Sequence, residues 1–333
     1  MSTGWVVTAA AGSVQDLPPF DAGAFWGQWG LEPLPLVITV WATGLYLVGV
    51  ASLRRRGDAW PVGRSIAWVV GMLAFYVATS SGLAAYDTVL LSAHMVQHMV
   101  LSMVVPLSLA LGAPVTLALR TLPRRPRGWL LAVLHSRLAK VLGFPPLTFA
   151  LYVLSPWALY FSGWYDASLR STYVHEMMHV HLVLVGALFF WPIVGVDPLP
   201  GRVGHPFRVL LTVMTLPFHA FLGVTIMGQK ALLGGDWYPS LHHGPLGAWL
   251  PDPEADQRLA GGILWGAGDL VGLVFFVILF VQWVRSSLKE AEREDRRLDR
   301  LERLERLERL ERREERERLA AADVTPPDPG PSE

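Results

Sequence analysis

The stretch "SAHMVQHMVLSMVVPLSLALG", residues 92–112, is an apolar run that contains two histidines. A bilayer core about 30 Å thick needs about 20 apolar residues of helix, so this run is long enough to cross it. His94 and His98 are exceptional there, because polar side chains inside a membrane cost free energy and commonly mark a functional site. The stretch therefore predicts an all-α membrane protein with a polar site between its helices.

Six further segments have similar length and apolar character, which gives seven predicted spans. The spans are residues 34–53, 65–83, 88–112, 144–162, 172–195, 207–229 and 260–284. The composition agrees, since 52% of the 333 residues are hydrophobic and only 17% are charged. We predict a polytopic bundle of seven transmembrane helices.

The loops predict the orientation of the bundle, because cytoplasmic loops carry an excess of Lys and Arg. Three alternate loops hold twelve basic residues: Arg54, Arg55, Arg56, Arg64, Arg120, Arg124, Arg125, Arg127, Arg137, Lys140, Arg202 and Arg208. The loops on the other side hold only Arg170, Lys230 and Arg258. The N-terminus is therefore expected outside and the C-terminus in the cytoplasm.

Four regions follow from these spans. We expect an extracytoplasmic N-terminal arm over residues 1–33, a transmembrane domain over 34–285, a charged cytoplasmic helix over 286–320 and a disordered tail over 321–333. Leucines in the charged helix recur every three residues, which does not give the 3.5-residue seam of a coiled coil. Acidic and basic residues spaced i,i+4 instead predict a single solvated helix. The pairs are Glu302–Arg306, Glu305–Arg309 and Glu308–Arg312.

Histidines on three of the spans fall at similar depths below the outer surface. At about 1.5 Å per residue, His94 and His98 lie roughly 8 and 14 Å down, and His175 and His179 roughly 5 and 10 Å. By the same measure, His219 lies about 15 Å below the outer end of its span. Residues four apart share a helix face, so each pair points in one direction. Five imidazoles in one layer indicate a shared metal site.

The ligand of this site is open from the residues alone. The chain has no cysteine, so a metal must be held by His, Met or carboxylate. The motif "HEMMH", residues 175–179, matches the zinc metallopeptidase helix in which Glu176 would be the general base. Two facing histidines would also suit a haem, and imidazole with thioether suits copper. Some residues are expected to contact the metal ligands without binding the metal; the candidates are Glu176, Asp269 and Met227.

Four stretches resemble the CtaG-like family of cytochrome c oxidase assembly factors. They are "HMVQHMVL" (94–101), "LGAPV" (111–115), "HEMMHVHLVLVGALFFWPIVGVDP" (175–198) and "DQRLAGGILW" (256–265). The resemblance implies a protein of the bacterial plasma membrane that spans it about seven times and helps to assemble the oxidase, with copper as its cargo. The residues of this chain that match the histidines of the family's motifs are His94, His98, His175 and His179. His219, Asp256 and Asp269 are added from their depth and chemistry.

The resemblance also implies the partners and the kind of chemistry. We expect contacts with oxidase subunits or other assembly factors and with membrane lipid, and no nucleic-acid partner. Copper transfer by ligand exchange needs no acid or base, so no enzymatic activity is expected. An intramembrane zinc metallopeptidase and a bis-histidine haem electron carrier are the alternatives.

Overall fold

The fold is entirely helical in the residues that the structure describes. A computed structural model covers the chain and describes residues 17–30, 32–201 and 203–322. Helix accounts for 82% and no strand is present among them, which confirms the all-α class. The first sixteen residues of the expected N-terminal arm, Arg202, and residues 323–333 of the expected disordered tail lie outside the described residues.

The helices follow one another with short connections. They are α1 (Ala22–Gly27), α2 (Pro33–Arg55), α3 (Val62–Ser80), α4 (Gly82–Tyr86), α5 (Leu91–Met99), α6 (Val105–Leu111), α7 (Pro114–Thr121), α8 (Arg124–Leu134), α9 (Arg137–Leu142), α10 (Pro145–Tyr160), α11 (Gly163–Arg170), α12 (Thr172–Val194), α13 (His205–Gly228), α14 (Trp237–Leu241) and α15 (Pro253–Ala322). A π-helical turn, Val100–Val104, joins α5 to α6, and a 3₁₀ turn, Pro245–Ala248, follows α14.

Six helical segments of the described chain are long and apolar enough to cross a membrane. Each coincides with a predicted span; they are Pro33–Arg55, Val62–Tyr86, Leu91–Thr121, Thr172–Val194, His205–Gly228 and Pro253–Leu319. The predicted span at 144–162 forms α10, which has only 16 residues and is about 24 Å long. The count of seven spans and the orientation therefore remain predictions.

α10 is short because both of its ends are set by the local sequence. Pro145 occupies the first helical turn, where its missing N–H costs nothing. At the other end, the side chain of Ser162 accepts a hydrogen bond from the backbone N–H of Trp164 at 3.2 Å. That contact begins α11, so the apolar run 144–162 is divided before it reaches the full thickness of a bilayer core.

The third span is interrupted by the π-helical turn, which α12 contacts closely. Gly186 of α12 packs against this turn, where a Cβ atom would overlap the carbonyl oxygen of Ser102. The Ser102 hydroxyl donates to the carbonyl oxygen of His98 at 2.7 Å. The close approach brings α12 and the third span together, and these are the elements that carry the two histidine pairs.

A pair of glycine substitutions tests this packing. Gly186→Ala forces a methyl group into a closed contact, so we expect the free energy of unfolding to fall by about 1 to 3 kcal/mol. Gly262→Ala is the matched control, because no atom lies within 4 Å of the added Cβ. Alanine there is expected to be neutral or stabilising by up to about 1 kcal/mol. Thermal unfolding in detergent measures both, and equal melting temperatures would contradict the contact.

The chain divides into two compact units, Met1–Leu279 and Phe280–Glu333. In the second unit, the described residues form the C-terminal part of α15. Leu298, Leu301, Leu304, Leu307 and Leu310 are each about half exposed. Ion pairs join Glu305 to Arg309 and Glu308 to Arg312, as the sequence predicts. The described part of this unit is therefore helical, with its leucines distributed around the helix.

Candidate metal centre

His94 and His98 lie on α5, which begins after Leu90. The backbone N–H of His94 donates to the carbonyl oxygen of Leu90 at 3.1 Å, so His94 belongs to the first turn of the helix. Both histidines are buried, and their ring centroids are 6.4 Å apart. Their four-residue spacing puts them on one face, as predicted.

His175 and His179 lie one turn apart on α12, and their ring centroids are 4.5 Å apart. Nε2 of His175 donates to the carboxylate of Asp87 at 2.9 Å. Nε2 of His179 donates to Oε1 of Gln97 at 3.0 Å and lies 3.7 Å from the same Asp87 carboxylate. Both imidazoles are therefore held by side chains from the segment that precedes or forms α5.

Asp87 is the residue that the sequence analysis missed. One ligand atom from each of Asp87, His175 and His179 lies within 4.8 Å of the others, and all three residues are buried. Asp87 follows α4 directly, in the short break before α5. It is the only acidic residue between Asp58 and Asp166, and this isolation in an apolar segment was the available signal. A carboxylate with two imidazoles is a donor set that binds zinc and copper.

His94 completes the cluster from α5. Its side chain is 0% exposed, and neither ring nitrogen has a hydrogen-bond partner among the described residues. The ring centroid lies 6.2 Å from that of His175 and 5.0 Å from that of Tyr165. A buried polar group without a partner costs about 1 to 3 kcal/mol, so this imidazole is costly unless something binds it. We refer to Asp87, His94, His175 and His179 as the Asp87 cluster.

The loop between α13 and α15 packs near this cluster. The hydroxyl groups of Tyr165 and Tyr238 are hydrogen-bonded at 2.6 Å. Nε1 of Trp237 donates to the carbonyl oxygen of Thr88, the residue after Asp87, at 2.8 Å. Arg170, at the end of α11, forms an exposed ion pair with Asp236 of this loop at 2.6 Å and lowers the pKa of that carboxyl group. These contacts enclose the cluster with aromatic side chains.

Glu176 and Asp269, both expected behind the ligands, have different surroundings. The Glu176 side chain is 66% exposed, and its carboxylate lies 3.6 Å from Nδ1 of His179. Asp269 accepts a hydrogen bond from Nε1 of Trp265, one turn away on α15, at 2.7 Å. Of these two carboxylates, Glu176 is therefore the one that contacts a histidine of the Asp87 cluster.

Asp256 and Met227 also lie at other contacts. The carboxylate of Asp256 accepts from the backbone N–H of Ser92 at 3.2 Å, at the start of α5. Met227 packs against Gly261 of α15, where an added Cβ would lie 2.7 Å from its side chain. The structure thus gives these two residues packing roles between helices.

His219 of α13 is buried, and it lies near His98. Its Nδ1 donates to the carbonyl oxygen of Thr215 at 3.1 Å. The ring lies 5.5 Å from that of Tyr152, and both residues line a small cavity with His98. The five predicted histidines therefore form two neighbouring groups. One contains His94, His175 and His179, and the other contains His98 and His219.

Comparison with known proteins places this geometry in a family. Residues 44–286 match the family model described as cytochrome c oxidase caa3 assembly factor. The chain belongs to this family. The match includes every member of the Asp87 cluster and His98 and His219.

Uncharacterized mycobacterial proteins are the curated relatives of this family member. Those of Mycobacterium bovis and Mycobacterium tuberculosis are each 42% identical over 278 residues, 78% of this chain and 42% of their own length. One from Mycobacterium leprae is 39% identical over 289 residues, 84% of this chain and 43% of its own length. This chain therefore spans less than half the length of these relatives. No solved structure matches it.

The family and the geometry bear differently on the two alternatives. Membership of an assembly-factor family supports neither a peptidase nor a haem carrier. A cofactor of drug size or larger needs a pocket of about 300 Å³ or more, whereas the cavity that His98 and His219 line measures about 10 Å³. A haem held between those two histidines would require the surrounding helices to separate.

Proposed function

We propose that this assembly factor binds copper at the Asp87 cluster and hands it to cytochrome c oxidase during assembly. The observation that carries the proposal is His94, a fully buried imidazole with no partner for either nitrogen. It adjoins a carboxylate and two further imidazoles whose ligand atoms lie within 4.8 Å of one another. A bound cation would give His94 a partner and would be neutralised in part by Asp87.

The donor set supports a transition metal and is compatible with copper or zinc. Imidazole binds both metals well, and a carboxylate adds affinity for the divalent ions. The family adds the preference for copper, because it is described as an assembly factor for cytochrome c oxidase and the oxidase is the proposed recipient of the copper. The metal is the cargo in this proposal, so it moves by exchange of ligands and the protein needs no catalytic acid or base.

The proposed topology has seven spans, with α10 counted among them. A span of about 24 Å crosses a bilayer that is locally thinned at a modest cost. The excess of Arg and Lys in alternate loops then puts the N-terminus outside, the C-terminus in the cytoplasm and the Asp87 cluster in the outer half of the membrane. A cluster at that depth can pass its cargo sideways to a membrane-embedded oxidase subunit.

A metal titration of the detergent-purified protein tests the proposal. His94→Phe keeps an aromatic ring in the cluster but removes both nitrogens, so we expect the copper affinity to fall by about 10- to 100-fold. His135→Phe is the control, because His135 is an exposed residue at the end of α8. Affinity is measured by competition with a chromophoric chelator, and copper and zinc are supplied in separate titrations. An unchanged affinity in His94→Phe, or binding of zinc alone, contradicts the proposal.

A further inference from the structure

A second group of polar side chains surrounds the small cavity next to the Asp87 cluster. The cavity has a volume of about 10 Å³, room for a single atom of the size of water. Its polar lining comes from His98, Ser102, Tyr152, Ser155 and His219, contributed by the third span, α10 and α13. We refer to this space as the His98 cavity.

Irregular backbone surrounds the His98 cavity on three sides. Ser102 lies in the π-helical turn, and such turns often occur at functional sites. Pro156 lies inside α10 and lines the cavity, and Pro217 lies inside α13, two residues before His219. Prolines within a helix free a backbone carbonyl and bend the helix locally. Each of the three segments that supply the polar lining therefore contains a π-helical turn or an internal proline.

The hydrogen bonds of the two histidines leave one nitrogen of each free for a ligand. Nδ1 of His219 must donate to Thr215, because a carbonyl oxygen only accepts, and so Nε2 holds the lone pair. The hydroxyl of Tyr160 lies 3.4 Å from the sulfur of Met95, an acceptor, and 2.7 Å from Nδ1 of His98. With that hydroxyl donated to Met95, His98 donates from Nδ1 and also keeps its lone pair on Nε2.

Tyr152 adds a polar group without a partner. Its side chain is buried, it lines the His98 cavity, and its hydroxyl has no hydrogen-bond partner. Its ring is fixed by stacking on Phe189, with ring centroids 4.4 Å apart. Burial of an unpartnered hydroxyl is unfavourable, so this side chain, like His94, indicates that the space around it is built for a polar occupant.

We propose that the His98 cavity is a second metal site, which holds monovalent copper between the imidazoles of His98 and His219. Among the described residues that line it, none is acidic. A monovalent ion therefore costs less to bury there than a divalent one. Two neutral imidazoles suffice for monovalent copper, whereas zinc in proteins takes four ligands. The cavity would accept copper and exclude zinc.

His94 connects the His98 cavity to the Asp87 cluster. Its ring centroid lies 6.2 Å from that of His175 and 6.4 Å from that of His98. Copper that is already monovalent in the Asp87 cluster can therefore pass to the His98 cavity through a single shared imidazole, without a change of oxidation state. This inference rests on the proposed function, and it adds a place where zinc is rejected before the cargo is handed on.

Metal stoichiometry in the full-length, detergent-purified protein tests the second site. Monovalent copper is supplied under anaerobic reducing conditions, and zinc is supplied in a parallel experiment. We expect the unmodified protein to bind about two equivalents of copper and about one of zinc. His219→Ala is expected to lose one copper equivalent and no zinc. His175→Ala is expected to lose one copper equivalent and its zinc.

A second variant tests the site in case His219→Ala misfolds. Tyr152→Phe removes only the unpartnered hydroxyl and preserves the ring that stacks on Phe189, so its melting temperature is expected to match or exceed that of the unmodified protein. Its affinity for the second copper equivalent should fall by about 10-fold, with the first equivalent and zinc unchanged.

The outcomes separate this inference from the proposed function. Two copper equivalents in His219→Ala, one equivalent in the unmodified protein, or two equivalents of zinc would each overturn the second site. Unchanged binding in Tyr152→Phe would also count against it. If copper is lost only in His175→Ala, the proposed function survives without the His98 cavity. If the unmodified protein binds no copper, both proposals fail.

Discussion

With His175 and His179 both replaced by alanine, we expect copper affinity to fall by at least about 100-fold, because two ligands of the Asp87 cluster are removed. In a strain that lacks the native gene and carries this variant, oxidase activity of isolated membranes should fall to the level of the deletion strain. The copper content of the purified oxidase should fall with it. The reason is that α12 supplies half of the donor groups in the cluster, and both imidazoles are fixed by Asp87 and Gln97.

Glu176→Gln is the informative control for this experiment, because it lies between the two histidines in "HEMMH". A metallopeptidase would lose its general base and its activity. In the proposed function Glu176 is an exposed neighbour of His179, with 66% of its side chain exposed. Normal oxidase activity in Glu176→Gln and none in the double histidine variant is the expected pattern. Loss of activity in both variants would favour the peptidase, and normal activity in both would contradict the proposed function.

The histidine pairs could be predicted from the sequence because their geometry is local. A four-residue spacing fixes two side chains on one helix face whatever surrounds the helix. The charge alternation of the loops and the similar depths then brought His94 and His175 to one layer, and their ring centroids are 6.2 Å apart. Helix periodicity, the charges of the loops and the thickness of the membrane were sufficient for this step.

Asp87 could not be reached by the same reasoning, because it does not lie on a regular helix. It follows α4 in a short break before α5, between two segments that hydropathy assigns to separate spans. Periodicity assigns a direction to a side chain only within an uninterrupted helix. The π-helical turn after Met99 has the same effect on the residues that follow it.

The contacts of α15 depend on which of its faces packs against α13. A rotation of the helix by about one residue is enough to change them. Asp269 shares a helix face with Gly262 and Gly266, and among the described residues no atom lies within 4 Å of a Cβ added at either glycine. The structure instead packs Gly261 and Gly268 against α13, with an added Cβ at Gly268 lying 3.1 Å from His219. Neighbouring positions on a helix differ by about 100°. Which of two adjacent glycine faces is buried depends on the partner helix, and one sequence does not specify it.

The long motif at 175–198 serves two purposes, and its last part predicts the second large effect. It begins with the histidines of the Asp87 cluster and ends at Asp197, which is 1% exposed. The Asp197 carboxylate accepts hydrogen bonds from the backbone N–H groups of Val115 and Thr116 at 3.2 and 2.7 Å, and from Nε1 of Trp191 at 2.9 Å. It therefore anchors the N-terminus of α7 to the end of α12, where a negative charge is favourable.

Asp197→Ala is expected to lower the free energy of unfolding by about 3 to 5 kcal/mol. Three partly buried N–H groups would lose their acceptor, at about 1 to 3 kcal/mol each. The residue that begins this turn, Ala113, has a φ of 51°, a left-handed conformation that is costly for alanine and needs the surrounding contacts to hold it. Without Asp197, that turn should relax and α7 should separate from α12.

Asp197→Asn retains one acceptor oxygen and should fall between the alanine variant and the unmodified protein. Asp269→Ala is the matched control, because its carboxylate accepts one hydrogen bond, from Trp265, and its loss should cost about 1 kcal/mol. Thermal unfolding in detergent, followed by circular dichroism, gives the order of stability. A melting temperature of Asp197→Ala equal to that of Asp269→Ala would mean that α7 is held by its apolar contacts. The expected order instead makes a single carboxylate the link between the helix that carries the proposed metal ligands His175 and His179 and the end of the third span.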